Sequence, residues 1–221
     1  TLHNEDEIAR KDIRVGDIAE IERAGDVIPH VLEINKSKRD RNSKPFVFPL
    51  KCPSCGSTTI KEFNKITKKF DAVRRCTNDG YGCERIAIEK IKHFISKEAL
   101  NIDGLGKKVV EKFWSLNLIK KPQDIFKLNF DKIKNLEGWG QLSIDNLKKA
   151  IFKSQLINLD KFIFSIGIRH IGQENAKILA GFFTTIKEFS KLFEKKRRDK
   201  ILISLSELDG IGSTQLKSID N

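Results

Sequence analysis

The sequence predicts a multidomain α+β chain, with a small β-rich segment, a short finger and then an all-α unit. Three observations predict it. Short extended runs broken by glycine turns fill residues 1–50, all four cysteines fall between 52 and 83, and after residue 100 a glycine-bearing turn recurs four times, each time ahead of a helix-like run. The expected boundaries are 1–50, 51–84 and 85–221.

In the first segment Asp12 to Asp17 reads as an extended lead into a turn, and Ile18 to Arg23 reads as a strand. Ala24-Gly25-Asp26 is a turn signal, and Val27 to Ile34 returns as a second extended run, with Pro29 suited to an edge. Lys36 to Lys44 is basic and free of apolar residues, hence a loop. These strands fit a partial barrel such as an OB-fold, too few to close one, and fit an unspecified β module equally well.

Cys52, Cys55, Cys76 and Cys83 are spaced C-x₂-C, twenty residues, C-x₆-C. The knuckle Cys52-Pro53-Ser54-Cys55-Gly56 puts two thiolates on one side of a turn, and the second pair completes a tetrahedral S₄ set. Four soft thiolates suit structural Zn²⁺ and leave no open position for catalysis. Disulfides and an iron–sulfur cluster are the competing readings; nothing in the sequence indicates secretion. Lys61, Lys65, Lys68, Lys69, Arg74 and Arg75 make the finger either a DNA-facing ribbon or a solvated charged one. His93 lies on an amphipathic run with Ile88, Ile91 and Ile95 and is expected to pack rather than ligate.

The recurring turn reads Ile102-Asp103-Gly104-Leu105-Gly106, Leu136-Glu137-Gly138-Trp139-Gly140, Ile168-Arg169-His170-Ile171-Gly172 and Leu208-Asp209-Gly210-Ile211-Gly212. The last glycines lie 34, 32 and 40 residues apart, which is the period of a repeated helical unit. This is the helix-hairpin-helix pattern. Glycine permits a sharp reversal, and the helix that follows starts with free N–H groups and a positive dipole end, together an anion site. Gly104, Gly106, Gly138, Gly140, Gly172, Gly210 and Gly212 are therefore the candidate phosphate-binding positions, with Lys107 and Lys108 adding charge without reading sequence. A purely structural solenoid is the alternative. His170 breaks the pattern in the third copy and suggests a supporting role there. Helices are expected over Glu84–Leu100, from Lys107, over Leu142–Phe152 and over Asn175–Phe183. Phe162, Phe164, Phe182, Phe183, Phe189 and Phe193 recur at helical spacing and are expected in the core, whereas Trp139 sits in a turn. Lys195 to Arg198 reads as a solvated helix end.

The net charge is +12, of which residues 1–50 carry −1 and the remainder +13. A cationic surface of that size favours a polyanion partner, although a lysine excess can also reflect AT-rich codons. No apolar run approaches a membrane span and no signal peptide opens the chain. The sequence has no methionine and starts at Thr1, from which a piece of a longer protein is expected, with the helix after Gly212 barely begun at the end.

Thr1-Leu2-His3-Asn4-Glu5, Arg23-Ala24-Gly25-Asp26-Val27-Ile28-Pro29, Cys-Pro-x-Cys-Gly and the four turns follow one another in an order that closely resembles the C-terminal part of bacterial NAD-dependent DNA ligase, over essentially the whole chain. The resemblance implies an OB-fold, a Cys₄ zinc finger and a four-hairpin domain that close around nicked duplex DNA. It implies zinc on Cys52, Cys55, Cys76 and Cys83, and DNA contacts near the nick from Arg23, Val27 and Ile28. The gap between Cys76 and Cys83 is slightly longer than usual in the family, so the conformation of that loop is open. The family attaches AMP to the lysine of a Lys-x-Asp-Gly motif, and no such tetrapeptide occurs here. No stretch matches the element that binds nicotinamide mononucleotide, the first OB strand or the BRCT domain.

The resemblance therefore implies a ligase as the parent protein. NAD and Mg²⁺ would serve its three adenylyl-transfer and sealing steps in replication and repair. It would be a monomer in the bacterial cytoplasm at the nucleoid. The present chain would have no catalytic residue and would be inactive alone. The alternatives are a non-catalytic zinc and hairpin DNA-binding module of a repair or recombination protein, and a protein–protein scaffold.

Overall fold

The computed structural model describes residues 2–24, 28–64, 68–78 and 80–220. Its packing divides it into two units, Thr1–Glu84 and Arg85–Asn221.

The first unit opens with a helix the sequence reading missed, α1 (Glu5–Arg10). Asn4 caps it, its side-chain oxygen accepting the N–H groups of Asp6 and Glu7 at 3.0 and 3.3 Å. Glu5, Asp6 and Glu7 fill the first turn and Arg10 the last, each charge opposing the nearer dipole end. Strands β1 (Ala19–Ala24) and β2 (Ile28–Ile34) pair antiparallel with a bulge at Glu20/Ile21. Pro29 lies opposite Arg23 on a sheet of two strands, where an edge is always available to it. The expected turn at Gly25 and Asp26 lies outside the described residues.

Arg39 ties this segment together. Its guanidinium bonds the carboxylates of Asp12 and Asp17 at 2.5 and 2.8 Å, and Arg14 adds a 3.1 Å pair to Asp12. Hydrogen bonds from Arg14 and Arg39 hold the Asp12 carboxyl down at about 2.

A second antiparallel pair follows, β3 (Thr59–Asn64) and β4 (Lys69–Cys76). Arg74 bonds Glu5 at 3.1 and 3.2 Å, and Lys61 bonds Asp6 at 2.7 Å, so the basic ribbon is fastened to the acidic turn of α1. Among the described residues the sheets are two separate pairs, and no closed barrel forms.

The second unit is helical. Its elements are α2 (Glu84–Ile95), α3 (Lys107–Ser115), α4 (Phe130–Ile133), α5 (Gln141–Lys153), α6 (Leu159–Ile166), α7 (Gln173–Phe183), α8 (Ile186–Ser190), α9 (Lys195–Ser206) and α10 (Ser213–Asp220). The α2 helix stops at Ile95 rather than Leu100. Asn101 turns left-handed at φ 50°, and its N–H closes on Ser96 at 2.8 Å while Ala99 and Leu100 bury. Burial overrides the helix propensity of Lys97 to Leu100. After the last turn α10 does form, over eight residues.

Ile163, Ile171, Ala176, Leu179, Phe183, Phe189, Leu192, Leu205, Ile211 and Ile219 make one core shared by α6, α7, α8, α9 and α10. Phe162 and Phe164 pack against it, but Phe182 is 37 % and Phe193 69 % exposed, which corrects the expectation for those two rings. His93 packs as expected. Its Nε2 lies 2.7 Å from the Phe164 carbonyl and its ring meets Phe164 edge-on at 4.6 Å.

Candidate metal centre and nucleic-acid interface

The knuckle forms because Gly56 adopts φ +73°, folding its own N–H back to the Cys52 carbonyl at 2.8 Å, while the Cys52 N–H reaches Ser57 at 2.7 Å. This sets Cys52 and Cys55 on one side. The end of β4 delivers Cys76, and Cys83 sits just ahead of α2, almost fully buried. All four thiols are free, and their sulfurs lie within 4.8 Å of one another. Cys52 to Cys83 is 3.9 Å and Cys55 to Cys76 is 3.5 Å. A tetrahedral S₄ site with metal–sulfur bonds of about 2.3 Å has edges of about 3.8 Å. The donor set fits a divalent metal ion such as zinc.

Cys55 and Cys76 differ in their surroundings. The Ser57 hydroxyl and N–H, donating to Cys55, pull it down to about 6, and burial pushes Cys76 up to about 12. Ser57 is a contributor the sequence reading did not single out, two residues past the second knuckle cysteine. In the longer loop Asn78 packs against Gly82, where a Cβ would come within 2.7 Å of its Nδ2. A side chain at Gly82 would have to displace the Asn78 amide.

The four turns share one backbone plan. Their third residues, Gly104, Gly138, His170 and Gly210, have φ of 90°, 83°, 63° and 87°. His170 therefore adopts the geometry of the glycines it replaces. The N–H of Trp139, Ile171 and Ile211 closes the turn on Leu136, Ile168 and Leu208 at 3.1, 3.1 and 3.2 Å. Positive φ thus belongs to the third residue of each turn. The fifth begins the helix in ordinary extended backbone: Gly106, Gly140 and Gly172 are N-caps at φ −67°, −92° and −83°. Their carbonyls, with that of Gly212, accept the first helical bonds from Val110, Ile144, Ala176 and Leu216 at 2.9–3.2 Å.

A Cβ on Gly106 or Gly140 would meet nothing within 4 Å, so no packing demands glycine there. The side chains between the glycines anchor the turns. Leu105, Ile171 and Ile211 are buried, and Trp139 lies against Phe113 with centroids 5.4 Å apart, as packing rather than as a free ring. Lys107 is exposed and Lys108 also faces solvent at the start of α3, where cations oppose the dipole but favour an anion. In the first unit Arg23 is exposed on β1, Ile28 starts β2, and Val27 lies outside the described residues.

Residues 1–43 match the family model described as the NAD-dependent DNA ligase OB-fold domain. The chain is 61 % identical over 219 residues to a DNA ligase of Pelagibacter ubique, covering 99 % of the chain and 32 % of that relative. It is 45 % identical over 193 residues to one of Xanthobacter autotrophicus, covering 85 % and 27 %. With one of Parvibaculum lavamentivorans it shares 43 % over 227 residues, covering 99 % and 32 %. The chain spans about a third of the length of the curated relatives it matches. Its identity to DNA ligases from end to end, with the OB-fold match at its start, makes it a member of the NAD-dependent DNA ligase family, corresponding to the family's C-terminal portion.

Proposed function

We propose that this chain is the DNA-clamping part of an NAD-dependent DNA ligase, holding nicked duplex DNA by its phosphate backbone. One observation carries the reading: a turn of constant backbone occurs four times, and each ends in a glycine that opens a helix. Helix N–H groups at such a start, with open space where a Cβ would stand on Gly106, Gly140 and Gly172, favour a phosphate oxygen. The excess of +13 beyond residue 50 supplies the long-range attraction.

In this reading Gly104, Gly106, Gly138, Gly140, Gly172, Gly210 and Gly212 form the gripping turns, with Lys107 and Lys108 beside the first. Arg23, Val27 and Ile28 approach the DNA from the OB-fold segment 1–50. Cys52, Cys55, Cys76 and Cys83 hold structural zinc in the finger 51–84, and 85–221 is the hairpin domain. Zinc supplies folding energy there and no chemistry. The self-adenylylated lysine, NAD and Mg²⁺ belong to the rest of the ligase, so the chain alone is inactive. Its own part is to bind and orient the nick as a monomer in the bacterial cytoplasm. Among the described residues no helix is long and apolar enough to cross a membrane.

The test is intact mass after incubation with NAD or with ATP. The comparison is between this chain and a polypeptide joining it to a nucleotidyltransferase domain. The reading expects an AMP adduct on the longer polypeptide, with NAD only. No adduct from either nucleotide, in a protein that still binds nicked DNA, would leave a non-catalytic binding module.

A further inference from the structure

Helix α7 supports the fourth turn at two points. Asn175, three residues past the N-cap Gly172, accepts the Gly172 N–H on Oδ1 at 3.4 Å and donates from Nδ2 to the Gly210 carbonyl at 2.7 Å. About one turn further along, Ile178 Cδ1 lies 2.6 Å from where a Cβ on Gly210 would stand. Gly210 is the positive-φ residue of the fourth turn, at φ +87°. A Cβ there would have to push the end of the Ile178 side chain aside. The comparable contact at the first turn, Leu147 of α5 against Gly104, is apolar and looser at 3.6 Å.

A side-chain amide suits this place because it accepts and donates at once. A carboxylate could only accept at both ends, and a hydroxyl capping Gly172 is too short to reach Gly210. Capping of an N-terminal N–H from the third helical position is ordinary; the second bond, across 35 residues to another turn, is not a requirement of the helix.

We infer that Asn175 is a positioning residue for phosphate binding: it fixes the third and fourth turns at one spacing, so that the starts of α7 and α10 meet DNA as a rigid pair. The inference rests on the hairpin reading proposed above. His170 keeps the third turn in the same backbone shape as its neighbours, and the core shared by α6 to α10 carries the pair.

The test uses the whole chain, with Asn175→Thr, Asn175→Ala, Gly212→Val and the double variant N175T/G212V. Threonine is too short to make the bridge but keeps a polar side chain at the start of α7. Binding to a fluorescent nicked duplex is expected to weaken about three- to ten-fold in both Asn175 variants, the size of one lost hydrogen bond. Helical circular dichroism should be retained. Gly212→Val should cost less in the Asn175→Thr background than in the native chain, because the fourth turn is already displaced. Native-strength binding by Asn175→Thr, or full additivity with Gly212→Val, overturns the inference. Hydrogen exchange on the native chain gives an independent check: nicked DNA should protect the amides of residues 172–175 and 212–215 together. Protection of one set alone also overturns it. No binding by the native chain is a separate result, which removes the hairpin reading itself.

Discussion

Two glycines two positions apart meet different demands, and this separates stability from binding at single residues. Gly138 and Gly210 hold φ near +85°, where a β-branched side chain is strained, and Gly210 is further crowded by Ile178. Gly210→Val is expected to cost about 1–3 kcal/mol of stability, read from chemical denaturation. Gly140 has ordinary backbone and open space, so Gly140→Val should cost no more than about 1 kcal/mol of stability, the loss of an N-cap glycine, while binding nicked DNA about ten-fold more weakly.

The Arg39 cluster makes a pH prediction. The Asp12 carboxyl is held down at about 2 by Arg14 and Arg39. Its contribution to stability is therefore complete above the unfolded carboxylate value of about 3.9, and is lost as pH falls from there towards about 2. Acid unfolding of the first unit should steepen across that window. In Arg39→Ala, a probe on β1–β2 should show less pH dependence there, together with lower stability at neutral pH.

At the scale of elements, legibility followed chemistry with a fixed local signature. The cysteine spacing marked a cluster whose sulfurs do converge, and the glycine turns marked the starts of α3, α5, α7 and α10. The α1 helix was legible from Asn4 followed by three acids, but went unread because it is six residues long without an apolar period. The β3–β4 hairpin hid in lysine-rich sequence. It is fastened by Arg74–Glu5, Lys61–Asp6 and the cysteines, and such partners far away in the chain leave no periodicity. Phe193 shows the converse error, since helical spacing in a short 3₁₀ segment does not define an inward face.

The finger should depend on its ion accordingly. The wild-type chain is expected to carry a single zinc, and Cys76→Ser to lose it along with the strand signal of β3–β4. Chelator should do the same to the native protein while the α-helical signal of the second unit persists. Metal analysis alongside circular dichroism reads both.

For the molecule as a whole, the first unit carries the four-cysteine cluster and the second is helical with an excess of positive charge. Binding through backbone N–H groups and lysines should be indifferent to base sequence and sensitive to salt. Replacing Lys107 with glutamine should weaken binding to all duplexes alike and flatten the salt dependence by about one phosphate contact. The measurement closest to the central claim is fluorescence anisotropy of the native chain with two nicked duplexes of unrelated sequence, titrated at several salt concentrations between about 50 and 200 mM. The account predicts equal affinity for both, falling steeply and linearly in log salt. Binding that ignores salt, or that holds to only one of the two sequences, would contradict it.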